Sequence, residues 1–145
     1  MNDKSFDEII EYLFVGSKNA LNDKEKFYMI VNCTLELCKD IVNLYIDDDP
    51  NKSQMLVSQI YETRILERIH ECIENRRPVL VYCGAGMQRS CAVVACYLLK
   101  YYDINPREAV EFIQGERCIA FFGSNDFFSA IELFHYFIHF SIHFL

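Results

Sequence analysis

Basic residues are in short supply in this 145-residue chain: 14 Lys and Arg stand against 21 Asp and Glu, for a formal net charge of −7. That balance speaks against a broad nucleic-acid or anionic-membrane footprint, so any anion handled here must be gripped by a local device. The seven cysteines (Cys33, Cys38, Cys72, Cys83, Cys91, Cys96, Cys118) include no CxxC pair and no metal-ligand spacing. Four of them, Cys33, Cys72, Cys91 and Cys96, sit in apolar stretches, which argues for free thiols in a reducing compartment rather than a disulfide framework. The opening MNDKSFDEII lacks a basic region followed by an apolar one. No secretory signal is expected, and the expected location is cytoplasmic or nuclear. Repeats, low-complexity tracts and linkers are missing too. With 52% apolar residues, the composition predicts one domain over 1–145 with a substantial core.

What is present alternates in period. IIEYLFVG (9–16) reads as a strand ended by Gly16, and residues 17–28 as a weak helix starting at a Ser17 cap. YMIVNC (28–33) and IVNLYI (41–46) read as strands, and DDDPNKS (47–53) as a loop. Leu56, Ile60, Ile65, Leu66, Ile69 and Ile73 recur at helical spacing and predict a helix from Ser53 to Arg76, with Pro78 just beyond it. A strand Pro78–Tyr82 follows, then a helix from about Arg89 to Tyr102. Asn105 and Pro106 open another, running to about Arg117, and a last helix starts near Asn125. The fold class this predicts is α/β, a mainly parallel central sheet with helices on both faces.

The segment VYCGAGMQRS (81–90) joins an apolar strand to a helix and places a thiol and a guanidinium on either side of a small loop. Successive N–H groups in such a loop can curl into a nest, and the following helix adds its N-terminal partial positive charge. Gly84, Ala85 and Gly86 let the backbone approach a ligand closely. Arg89 can offer a planar fork to two phosphate oxygens, and Ser90 can hydrogen-bond back into the loop. The same field favours the thiolate of Cys83 and poises it for in-line attack on phosphorus.

With its flanks, VLVYCGAGMQRSCAVVACYLL resembles the strand, phosphate loop and following helix of the dual-specificity protein phosphatases, a branch of the cysteine-based protein tyrosine phosphatases. EYLFVGSKNA (11–20), IVNCTLE (30–36) and INPREAVEFIQGER (104–117) are similar to other segments of that family, and the likeness covers roughly residues 8–134. It implies Cys83 as nucleophile, Arg89 as the phosphate-binding arginine and Ser90 as the hydroxyl that assists thiolate departure. Gly84, Ala85, Gly86, Met87 and Gln88 match the amides that cradle phosphate. The family also carries a general acid upstream, and its pattern fits Leu44, Ile46 and Asp48, with Asp47 and Asp49 as close competitors. The implied activity is metal-independent and needs no cofactor: hydrolysis of phosphotyrosine and phosphoserine or phosphothreonine in phosphoproteins through a phosphocysteine. A phosphate-binding pseudophosphatase is the alternative.

Three departures stand out. Tyr82 takes the place of the family's histidine before the cysteine, which predicts a less favoured thiolate and slower turnover. The loop interior GAGMQ has no lysine, which points to phosphoproteins bearing a single phosphate rather than inositol lipids. The end of the chain, FFSAIELFHYFIHFSIHFL (127–145), has a single formal charge, Glu132. It predicts an apolar helix packed on the core or forming a homodimer, ahead of membrane insertion, because basic anchors are missing. His135, His139 and His143 share one face of it and read as its polar edge rather than as metal ligands.

Overall fold

A strand covered on both faces has to be apolar at every position, and Val79–Tyr82 is: all four residues are buried. In the computed structural model, which describes residues 4–52 and 54–140, this strand is the middle of a five-stranded sheet. The strands are β1 (Phe6–Ile10), β2 (Leu13–Gly16), β3 (Met29–Asn32), β4 (Val42–Asn43) and β5 (Val79–Tyr82), in the order β1-β2-β5-β3-β4. Only the β1–β2 pair is antiparallel. The helices are α1 (Gln54–Thr63), α2 (Ile65–Glu74), α3 (Arg89–Tyr101), α4 (Pro106–Glu116) and α5 (Phe128–Phe140).

The expected α/β architecture is what forms, with an unequal cover. Val79, Val81 and Cys83 face the main core with the helices. Leu80 and Tyr82 face the other way, into a smaller cluster with Ala20, Phe6, Phe14 and Phe27. That second face is roofed by a 3-10 helix, Lys18–Lys26, whose first turn Ser17 caps by accepting from the Asn19 N–H. Helix α3 is buried from Ser90 to Leu99, as an all-apolar helix must be. Asn105 and Glu108 form a capping box at the start of α4, with Pro106 in its first turn.

Three expectations change. The segment 9–16 is not one strand: the chain reverses at Glu11–Tyr12 between β1 and β2, where Tyr12 takes a φ of 72° and its N–H is held by the Glu8 carboxylate at 3.0 Å. The predicted helix from Ser53 to Arg76 breaks at Arg64, at a φ of 54°. The five-residue step from Ile60 to Ile65 is out of phase for one helical face, and a left-handed residue brings both apolar sets onto the core. Ser53 lies outside the described residues. In IVNLYI only Val42–Asn43 pairs. Leu44 N still donates to Asn32 O of β3 at 2.8 Å, and beyond the paired residues Leu44 and Ile46 are fully buried, so packing extends the apolar alternation past the pairing.

Helix α5 buries Ala130, Ile131 and Phe134 and exposes Tyr136 and Phe140. Residues 141–145 of the expected helix, His143 among them, lie outside the described residues. Among the described residues no helix is long and apolar enough to cross a membrane, and no group of three His, Cys, Asp or Glu is placed to hold a metal ion.

Candidate active site

Strand β5 delivers Cys83 to the mouth of the loop, 3% exposed, and α3 begins six residues later at Arg89. Every carbonyl of the intervening loop is held from outside. Gly84 O accepts from Lys18 N (3.1 Å), Met87 O from Phe121 N (2.8 Å) and Gln88 O from Ala92 N (2.8 Å). Ala85 O accepts from Arg117 Nη2 (3.4 Å), and Gly86 O from Arg117 Nε (2.8 Å). With the carbonyls tied outward, the N–H groups are left for the concave side. Among the described residues none from Gly84 to Gln88 donates to protein. No side chain caps the N-terminus of α3 either, so its dipole faces the same space.

Glycine is required at position 86. Its φ is 67°, and a Cβ there would meet Gly16 C and O at 2.6 Å and Arg117 Nη2 at 2.7 Å.

Asp48, Cys83, Ala85, Met87, Gln88 and Arg89 line one pocket of about 270 Å³. Ser90, fully buried, sets its Oγ 3.2 Å from Cys83 Sγ. Arg89 donates from Nη1 to Ile46 O (3.1 Å) and keeps Nε 3.8 Å from Asp48 Oδ1, tying the acid-bearing segment to the loop. The three aspartates part company here. Asp47 pairs with Lys52 at 3.2 Å, and Asp49 accepts from Asn51 N at 2.9 Å. Asp48 is the one of the three that lines the pocket with Cys83.

A family model for the dual specificity phosphatase catalytic domain matches residues 12–135. This chain belongs to that family. The dual specificity phosphatase domain is 32% identical over 117 residues to protein 123R of Invertebrate iridescent virus 6, whose name carries the words tyrosine phosphatase. That alignment covers 79% of this chain and 81% of the viral one. A shorter stretch of 54 residues is 39% identical to cyclin-dependent kinase inhibitor 3 of Rattus norvegicus, covering 37% of this chain and 26% of that protein. Human DUSP28 superposes with a TM-score of 0.81 at 19% identity, over 95% of this chain and 97% of that one, a likeness of fold. Fold and Cys83–Arg89 pocket together place the domain among the cysteine-based phosphatases.

Tyr82 faces away from the pocket, as consecutive strand residues do. Burial, with the neighbouring Cys38 thiol adding to it, pushes its phenol well above its ordinary range. Burial pushes Cys33, Cys91 and Cys96 up, and Cys91 Sγ donates to Gly86 O at 3.5 Å.

Arg117 is the residue that sequence reasoning missed in this phosphatase domain, where it read only as a helix end. It is 2% exposed, pairs with Asp7 at 2.8 Å, and also donates to Lys4 O, Ala85 O and Gly86 O. A basic residue closing a helix is ordinary, and no local signal announces that this one is buried. Arg117→Met leaves the loop carbonyls and the Asp7 carboxylate without their donor. The expected cost is about 3–5 kcal/mol, read as a lowered urea midpoint at unchanged slope.

Proposed function

We propose that this domain hydrolyses phosphotyrosine, phosphoserine and phosphothreonine esters of phosphoproteins through a phosphocysteine on Cys83. The observation that supports this is that a buried thiol, Cys83, and the Arg89 guanidinium line one small pocket with loop residues Ala85, Met87 and Gln88, whose N–H groups donate to no protein group among the described residues. In the first step the Cys83 thiolate forms a bond to phosphorus as the ester P–O bond breaks, and Asp48 gives its proton to the departing oxygen. The loop amides and Arg89 hold the three equatorial oxygens. In the second step the Asp48 carboxylate takes a proton from water, whose oxygen attacks phosphorus. The P–S bond breaks, and the Ser90 hydroxyl donates to the departing thiolate. A lysine-free loop supports phosphoproteins over more highly charged lipids as substrates. Free cysteines throughout support an intracellular setting, and the exposed Tyr136 and Phe140 support self-association through α5.

The test is phosphate release from an aryl phosphate and from phosphopeptides with chelator present, together with acid-quenched mass spectrometry of Cys83. Release with a transient adduct of one phosphoryl group on Cys83 supports the proposal. Neither release nor adduct between pH 5 and 8 sinks it.

One observation favours the second reading, a phosphopeptide-binding domain of negligible turnover: the residue before the cysteine is Tyr82, buried in the smaller cluster, where the family resemblance implies a histidine. Tyr82→His restores the residue that the family resemblance implies for holding the cysteine, and should raise kcat/KM about 5- to 10-fold near pH 6. The acid limb of the pH profile should move to lower pH. An unmoved limb would separate position 82 from the ionisation of the nucleophile.

A further inference from the structure

Phe122 is the most exposed large apolar side chain among the described residues, at 71%, yet it lines the same pocket as Cys83, Arg89 and Asp48. Holding it there costs the fold something. Phe121, buried at 4%, takes a φ of 57°, a left-handed conformation that is a true outlier for a bulky residue. Strain of this kind persists where surrounding bonds over-determine it, and here they do. Phe121 N donates to Met87 O at 2.8 Å, and Phe122 N to Ile119 O at 3.1 Å. Gln88 works from both ends of its amide: Nε2 donates to Ser124 O at 2.7 Å, and Oε1 accepts from Asp126 N at 3.1 Å. The segment 121–126 is thus fastened to Met87 and Gln88, two residues of the phosphate loop itself. Packing places Phe121 in the main core, but it gives no reason to present the bare ring of Phe122 at the pocket mouth. A ligand with an aromatic face does.

We infer that Phe122 is a specificity-determining wall of the pocket: it stacks on the ring of a phosphotyrosine whose phosphate sits over Cys83, and it biases the domain towards phosphotyrosine over phosphoserine and phosphothreonine. This rests on the phosphatase proposal above. A pocket shallow enough for all three esters discriminates only by what it offers beyond the phosphate. Phosphoserine and phosphothreonine have a short stem with no face to stack, whereas a tyrosine ring carries both apolar area and a quadrupole. Stacking is present before and during the chemical step alike, so its contribution falls on KM rather than kcat.

The experiment uses two peptides identical except for phosphotyrosine or phosphothreonine at one position. Phe122→Ala should lower kcat/KM on the phosphotyrosine peptide about 5- to 10-fold through KM, and change the phosphothreonine peptide by less than about twofold. Phe122→Tyr should restore the ratio, and Phe122→Leu should restore it only in part. Equal losses on both peptides, or none on phosphotyrosine, overturn the inference. The same peptides titrated calorimetrically against Cys83→Ser read the preference without turnover. If the wild type proves inactive but this variant binds phosphotyrosine more tightly, the proposed function falls while the inference stands. Equal binding, or no binding, of the two peptides overturns the inference whatever the activity.

Discussion

Cys83→Ser should lose phosphatase turnover by about 10⁵-fold or more while still binding phosphopeptide, because the substitution removes the nucleophile and leaves the cradle. A serine hydroxyl is un-ionised at neutral pH, and among the described residues no histidine lines this pocket to take its proton. Ser90 Oγ, 3.2 Å from the sulfur, is a hydroxyl itself, and the carboxylate of Asp48 is needed in its protonated form for the leaving group. The parts that grip phosphate are independent of sulfur. The loop carbonyls remain tied to Lys18, Arg117, Phe121 and Ala92, so the N–H groups keep their direction, and Arg89 keeps its bond to Ile46 O. Single-turnover kinetics and peptide titration on one preparation separate the two effects. A variant retaining more than about 1% of wild-type turnover would remove sulfur from the chemistry.

The strand–loop–helix around Cys83 was legible in the sequence because its determinants are local. A strand apolar at every position, small residues and a helix start with an arginine all fall within residues 79–90, and the structure assembles them in that order. The start of α4 was legible for the same reason, since Asn105 and Glu108 satisfy each other across three residues. The features that escaped are set by distant partners. Arg117 and Asp7 are 110 positions apart, and neither residue's neighbours reveal the pair. The break at Arg64 was visible as a phase slip between Ile60 and Ile65, but helical spacing on either side of it outweighed one misplaced step. The hairpin turn at Tyr12 carries no glycine or asparagine, the residues that ordinarily announce a positive φ. A glutamate four residues back supplies the bond that stabilises it. Phe122 escaped for a different reason: an apolar residue in sequence predicts burial, and only coordinates show one held out of the core.

Asp48→Asn should lower turnover of phosphotyrosine and phosphothreonine peptides by about 10²–10⁴-fold, while Asp47→Asn and Asp49→Asn should each stay within about threefold of wild type. In sequence the family pattern favoured Asp48 with Asp47 and Asp49 as close competitors, and their surroundings set the three further apart. Lys52 engages Asp47 and the Asn51 N–H engages Asp49, so each is committed to holding the turn. Asp48 is 60% exposed at its side chain and reaches towards Arg89, the residue proposed to bind the transferring group. A general acid matters only to the extent that the leaving oxygen needs a proton. The loss in Asp48→Asn should therefore shrink to less than about tenfold on a nitrophenyl phosphate, whose leaving group departs readily as the anion. The basic limb of the kcat profile, along which an acid loses its proton, should vanish in the same variant. If the loss is equal on peptide and nitrophenyl esters, Asp48 acts through the position of Arg89 instead of through its proton, and the pH profile should then keep its basic limb.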